Sequence, residues 1–262
     1  MPTRETAILG APCWIDLSST DIERSRAFYG ELLGWTADDP SPEHAGYFSF
    51  SKNGVKVAGG MPAQPESGMA DTWTVYLATD DADKTVQAAR ENGGQVLFGP
   101  HQVDDLGSMA GITDSGGAFV GVWQPGLHQG FGLVGEAGAP AWFELHTRAY
   151  DTVVPFYRDV FHWDAHVMSD TDEFRYTTLG SGDTMLAGIM DSAGFLPEGV
   201  PSYWGVYFAV DDADASVAKV VELGGSVIEQ PMDSPYGRIA HVRDAVGARF
   251  RLVAPNEAMP AR

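Results

Sequence analysis

The chain says nearly the same thing twice. The run APCWIDLSSTDIERSRAFYGELLGW, Ala11 to Trp35, returns as APAWFELHTRAYDTVVPFYRDVFHW, Ala139 to Trp163, at an offset of 128 residues. Further on, DTWTVYLATDDAD (Asp71 to Asp83) reappears as SYWGVYFAVDDAD (Ser202 to Asp214), and Gly93-Gly94 as Gly224-Gly225. Similarity kept up over this length means two copies of one fold. It predicts a first domain over 1–126, a linker over 127–138 and a second domain over 139–262, each long enough to bury a core of its own. Function is then to be sought in what the two copies do differently.

Charge narrows the partners. With 36 acidic residues against 16 Lys and Arg, the net charge is −20. Nucleic acid and anionic membranes both call for basic patches, so neither is expected as a partner. No basic, then apolar, leader opens the sequence and no apolar run approaches a membrane span. The lone Cys13 allows no internal disulfide. A cytoplasmic protein, monomer or loose homodimer, is the expectation.

The period of the apolar residues sets the local structure. Cys13 to Leu17 and Ala141 to Leu145 read as strands, each followed by a polar turn and a helix. In the first of these helices Ile22, Ala27, Phe28, Leu32 and Leu33 share a face, and the helix is expected to end near Gly34. Tyr47 to Phe50 and Val55 to Met61 read as a hairpin turning at Asn53-Gly54. The Pro- and Gly-rich stretch Met61 to Met69 is expected to link this unit to a second one. That unit has a strand over Thr72 to Thr79, a helix over Ala82 to Asn92 stopped by Gly93-Gly94, and strands near Gln95 to Phe98, Ser108 to Thr113 and Ala118 to Trp123. Each copy is therefore two units of strand, helix and further strands.

This arrangement resembles the vicinal oxygen chelate superfamily of glyoxalase I, bleomycin-resistance proteins and extradiol dioxygenases. The residues that carry the resemblance are Phe28-Tyr29, Leu33-Gly34-Trp35, the paired aspartates closing the next strand, Asn92-Gly93-Gly94 and a D-x-x-G turn before the last strand. It covers almost the whole chain and is nearest to tandem actinobacterial members often labelled hydroxylase. It implies an α+β fold, a tandem of two domains. Each would be two βαβββ modules forming an open β-cup with helices outside and a ligand inside.

Members of the family that do chemistry usually hold a divalent metal in the cup, so the resemblance also assigns ligand positions. Those positions carry Trp14, Thr74 and Gly121 in the first copy and Trp142, Gly205 and Arg251 in the second. Indole offers only an N–H, glycine has no side chain, and guanidinium repels a cation. No metal and no other cofactor is expected.

Strand side chains alternate with period two, which assigns the faces. Placing Trp14 inside the first cup brings Asp16, Thr74, Tyr76, Phe119 and Trp123 in with it. Ile15, Leu17, Val120 and Val122 then face the core, as do Cys13 and the helix-facing Trp73 and Trp204. The second cup receives Trp142, Glu144, His146, Gly205, Tyr207, Arg249 and Arg251. Trp14, Asp16, Tyr76, Phe119, Trp123, Trp142, Tyr207, Arg249 and Arg251 are thus the candidate ligand-binding residues, and Glu144 and His146 a candidate acid–base pair. Glu144 and Arg251 also suit a buried ion pair between the first and last strands.

Two readings of function remain open. In the leading one the protein sequesters an aromatic or hydrophobic small organic molecule without a metal, as the resemblance to bleomycin-resistance proteins implies. In the alternative it is an enzyme of the same superfamily: a glyoxalase, lyase or dioxygenase, or a metal-free isomerase or cyclase using His146 and Glu144.

Overall fold

The structure is a computed structural model describing residues 5–64 and 71–257. The first copy runs β1 (Pro12–Ser19), α1 (Ile22–Leu33), β2 (Thr36–Ala37), β3 (Phe48–Lys52), β4 (Val55–Pro62), β5 (Thr72–Ala78), α2 (Ala82–Glu91), β6 (Gln95–Val103), β7 (Gly107–Thr113) and β8 (Phe119–Pro125). The second repeats it: β9 (Pro140–Thr147), α3 (Tyr150–Phe161), β10 (Ala165–Asp170), β11 (Arg175–Leu179), β12 (Ala187–Asp191), β13 (Tyr203–Ala209), α4 (Ala213–Glu222), β14 (Ser226–Ser234), β15 (Gly237–Arg243) and β16 (Arg249–Ala254). The expected linker from Met61 to Met69 starts inside β4, and its later part, 65–70, lies outside the described residues.

Each copy curls into one eight-stranded cup, ordered β2-β3-β4-β1-β5-β8-β7-β6 in the first and β10-β11-β12-β9-β13-β16-β15-β14 in the second. The two modules of a copy meet in the antiparallel pair β1 with β5, or β9 with β13. Flanking them, β4 and β8, or β12 and β16, lie parallel to their neighbours. The cups therefore form within each copy.

Helices tie the copies together, with α1 packed on α4 and α2 on α3. The first helix begins where the Asp21 carboxylate accepts from the Arg24 N–H, and it ends at Gly34 in the left-handed region, φ 69°. Behind the cups the two sheets share an aromatic core. Trp35 and Trp73 of the first copy lie 5.3 and 5.5 Å from Phe208 of the second, and Tyr29 lies 5.7 Å from Phe250.

The repeated motifs converge on this seam. Tyr29 donates to Asp244 and Tyr157 to Asp114, both at 3.0 Å, so each copy's FY tyrosine reaches the other copy's D-x-x-G aspartate. Trp73 and Trp204 donate in turn to Tyr29 and Tyr157. Trp35 donates to the Gly138 carbonyl and Trp163 to that of Gly10, which completes the pseudo-twofold set. Asp114 and Asp244 each also accept backbone N–H groups of their own turn. The residues that carry the family resemblance thus build the joint between the cups, while the cup interiors are free to differ.

Candidate functional site

Both cups are built around a carboxylate held by tyrosines. In the first, Asp16 Oδ1 accepts from Trp14 Nε1 and from the Tyr47 hydroxyl, each at 3.0 Å, and the Tyr76 hydroxyl also bonds it. In the second, Glu144 Oε2 accepts from Tyr176 at 2.6 Å and Oε1 from Tyr207 at 2.7 Å, while Trp142 Nε1 donates to the Tyr176 hydroxyl at 3.1 Å. Tyr47 and Tyr176 reach inward because Gly59 and Gly188 lie beneath them; a Cβ at either glycine would fall 2.0 Å from the hydroxyl oxygen. Neither tyrosine stood out in the sequence, because the short strands beside them left their parity unassigned.

What surrounds the carboxylate differs sharply. Tyr76 lies flat on Gly121 and Phe98 on Gly111, close enough that a Cβ at either glycine would come within 2.2 Å of the ring. The linker closes this cup further: His128 packs edge-on against Trp14 at 4.4 Å and its carbonyl accepts from Trp123 Nε1. Phe131 lies 5.7 Å from Trp14 on the same side. The first cup is filled by its own aromatic rings and by the chain that leaves it.

In the second copy the strand registers put Arg251 and His241 where Gly121 and Gly111 stand. Gly205, opposite Glu144, makes room for Arg251, whose Nη1 would lie 2.8 Å from a Cβ there. The guanidinium sits 5.3 Å over the Tyr207 ring and donates to the Tyr203 hydroxyl at 3.2 Å. Tyr203 also stacks on the His146 imidazole at 5.0 Å. His146 Nδ1 pairs with Ser192 Oγ at 3.2 Å; its Nε2 lies 3.0 Å from Glu144 Oε1 but off the hydrogen-bonding direction, and so is left without a hydrogen bond.

Of the residues expected to line the sites, Trp14, Asp16, Tyr76 and Trp123 gather in the first cup and Trp142, Glu144, His146, Tyr207 and Arg251 in the second. Phe119 is half-buried beside Phe98, toward the cup's outer strand, and Arg249 is exposed where β16 begins. The expected ion pair between Glu144 and Arg251 does not form: among the described residues Glu144 pairs with His146. Tyrosine hydroxyls, smaller and already in place, saturate the carboxylate instead. Sequence reasoning also passed over His241 and Tyr203. Alternation on β15, where Ala240 and Val242 are buried in the core, was the signal that His241 faces the cup.

The same seat gives the two carboxylates opposite acidities. Burial pushes Asp16 up to about 6, against the pull of its tyrosine and tryptophan donors. Burial would raise Glu144 too, but His146, Arg251 and the Tyr176 hydroxyl hold it down at about 2. Burial also lowers His146, outweighing the attraction of Glu144. His241 falls to about 3 through burial and the positive charge of Arg251. At neutral pH the second cup therefore holds an ionised Glu144, a charged Arg251 and two neutral imidazoles.

Similarity to known proteins agrees with this architecture. The family model of the glyoxalase/bleomycin resistance protein/dioxygenase superfamily matches residues 13–122 and again 140–252. The chain belongs to that superfamily. It is 40% identical over 260 residues to CFP32 of Mycobacterium tuberculosis (strain CDC 1551 / Oshkosh), provisionally named a glyoxylase, covering 97% of this chain and 98% of that one. It is 38% identical over 269 residues to the anthracycline biosynthesis protein DnrV of Streptomyces peucetius, covering 96% of each. Among solved structures, the Mn(II)-bound glyoxalase of Novosphingobium aromaticivorans has the same fold at a TM-score of 0.65 and 16% identity, covering 94% of this chain and 82% of that one. The 2,3-dioxygenase LapB of Pseudomonas sp. KL28 does so at 0.64 and 13%, covering 98% and 97%.

The residues present do not suit the metal that the fold family implies. Arg251 projects its positive charge over Gly205, and both Glu144 oxygens are taken by hydroxyl donors. Among the described residues no three His, Cys, Asp or Glu side chains converge as a ligand set. A surface groove of about 390 Å³, lined by Gly34, Lys52, Gly138 and Asp212 among others, lies at the seam between the copies and touches none of these groups.

Proposed function

We propose that the protein is an enzyme of its superfamily whose second cup performs metal-free acid–base chemistry on a small, planar organic molecule. The observation that carries this reading is the buried imidazole of His146, with Nε2 unpartnered and 3.0 Å from an ionised Glu144. A neutral imidazole held in place by Ser192 and the Tyr203 ring can take a proton from an acidic C–H or O–H. Glu144 then stabilises the imidazolium, and return of the proton at a different atom gives isomerisation, epimerisation or ring closure. Tyr176 and Tyr207 keep Glu144 an acceptor throughout. The aromatic walls and the relative named for anthracycline biosynthesis both favour an aromatic substrate.

Proton exchange is the direct readout. With 1-phenyl-1,3-butanedione and related enolisable aromatic ketones in D2O, the protein is expected to speed deuterium incorporation, and His146→Ala to slow it about a hundredfold. Glu144→Gln is expected to slow it as well. Exchange no faster than in buffer across such a panel would overturn the acid–base reading.

Sequestration without turnover is the second reading, and the second cup's carboxylate favours it, since both Glu144 oxygens are already taken by tyrosine hydroxyls. It predicts tight binding of aromatic compounds that His146→Ala and Glu144→Gln leave unchanged.

A further inference from the structure

Arg251 is the least explained group in the molecule. Its side chain is 8% exposed. The nearby carboxylates stand closest to imidazoles, Glu144 3.0 Å from His146 and Glu229 3.9 Å from His241, and among the described residues no salt bridge reaches Arg251. Beside the guanidinium stand one tyrosine hydroxyl and one ring face, and a charge held this far from water is costly unless something completes it.

Its neighbours point the same way. His241, opposite Arg251 across β15 and β16, is 5% exposed and its Nε2 has no partner; the 6% exposed His146 likewise has an unpartnered Nε2. Arg243 Nε, on the same face of β15 as His241, is a third such atom. These are all the unpartnered buried side-chain nitrogens and oxygens among the described residues, and they belong to one wall of one cup. A folded chain rarely leaves buried polar atoms without a partner, so their convergence beside the Arg251 guanidinium marks the place of a polar group that the chain does not supply.

We infer that this wall is a binding site for the oxyanion of a planar organic ligand, a carboxylate or an enolate or phenolate oxygen, seated on Arg251 and His241. Guanidinium presents paired N–H groups in the geometry that two oxygens of a carboxylate, or one oxygen and its neighbour, accept. Tyr207 and Trp142 supply the flat faces for the carbon skeleton. Glu144, across Gly205, sets a negative group on the opposite side and so orients the ligand with its charged end toward Arg251. The inference rests on the reading that this cup takes a small organic molecule, and it names the class.

Calorimetric titration with three probes tests it: benzoate, 4-nitrophenolate at pH 8 and the neutral isostere benzamide. At least one anion is expected to bind about tenfold or more tightly than benzamide, with the stronger of the two telling carboxylate from phenolate. Arg251→Gln is expected to erase that preference and Glu144→Gln to keep or increase it. Should Arg251→Gln not fold, the wild-type protein still decides, because benzoate or 4-nitrophenolate is expected to shift the imidazole NMR signals of His146 and His241 and leave those of the exposed His44 and His166 in place. Equal affinity for benzamide and both anions, a preference that survives Arg251→Gln, or unmoved His241 signals would each overturn the site. Deuterium exchange separates this outcome from the chemistry: anion preference without exchange leaves the site standing and removes the acid–base reading, while exchange without anion preference does the reverse.

Discussion

The two cups share a seat and differ in everything around it. Asp16 and Glu144 stand at matched positions of β1 and β9, each gripped by a tyrosine of its own module, Tyr47 or Tyr176, and by one from the first strand of the neighbouring module, Tyr76 or Tyr207. In the first cup, glycines at 121 and 111 let Tyr76 and Phe98 lie down on the sheet, and His128 of the linker covers Trp14. In the second, Arg251 and His241 replace the glycines, and His146 stands where the first copy has Ser18. A few substitutions turn a ring-packed interior into a polar wall, because a glycine floor lets aromatic rings lie on the sheet, whereas Arg251 and His241 project polar groups from the same positions.

Removing the carboxylate is expected to separate the cups most. Glu144→Ala leaves Arg251 with less compensating charge and two tyrosine hydroxyls without an acceptor, and should cost about 3–5 kcal/mol by chemical denaturation at pH 7. Asp16→Asn instead removes a charge that burial disfavours, and should lie within about 1 kcal/mol of wild type or above it. Equal losses at the two positions would mean that the seats are electrostatically alike, against the comparison.

The joint between the cups comes next. Tyr29→Phe and Tyr157→Phe each remove a hydrogen bond to a buried carboxylate and the acceptor of a tryptophan N–H. A loss of about 2–3 kcal/mol is expected for each, nearly equal because the seam is symmetric. Unequal losses would show that one copy leans on the other.

Acidity should sharpen the contrast. Asp16 and Asp114 are both raised to about 6, so the folded chain binds their protons more readily than the unfolded one. Their contribution is fully present below the unfolded pKa near 4 and is lost as pH rises through about 6, so the Tm is expected to climb as pH falls from 7 to 5. Glu144, lowered to about 2, works in reverse: its contribution is present above its unfolded pKa and fades as pH falls below that. Asp16→Asn should flatten the slope between pH 5 and 7, and Glu144→Gln should leave it intact in a Tm series across that range.

The smallest effect is expected at the linker. His128→Ala uncovers Trp14 and should cost about 1 kcal/mol while making tryptophan emission more accessible to acrylamide. Unchanged quenching would show that other groups close the first cup.

The repeat and the face of nearly every central strand were legible in the sequence, because period-two alternation on β1, β5, β8 and their counterparts is strong. The observed elements extend those readings by a residue or two, as Pro12–Ser19 does around Cys13 to Leu17. Outer strands were less legible. β2 is two residues long, and β6 runs on through Pro100 to Val103 with irregular register, so neither shows a clean alternation. Tyr47 and Tyr176 lie on or beside short outer strands of this kind, β3 and β11, and went unassigned for that reason, whereas His241 was legible in the alternation of β15.

Sequence alone determined that two like domains exist, which residues face inward on the central strands, and that the positions the family resemblance assigns to metal ligands hold indoles, glycines, a threonine and a guanidinium. Tertiary structure alone decided what those inward groups do with one another. Alternation sets a side chain's direction and says nothing of its reach, so only the folded sheet could show Glu144 taken by tyrosine hydroxyls while Arg251 turns to the Tyr203 hydroxyl and the Tyr207 ring.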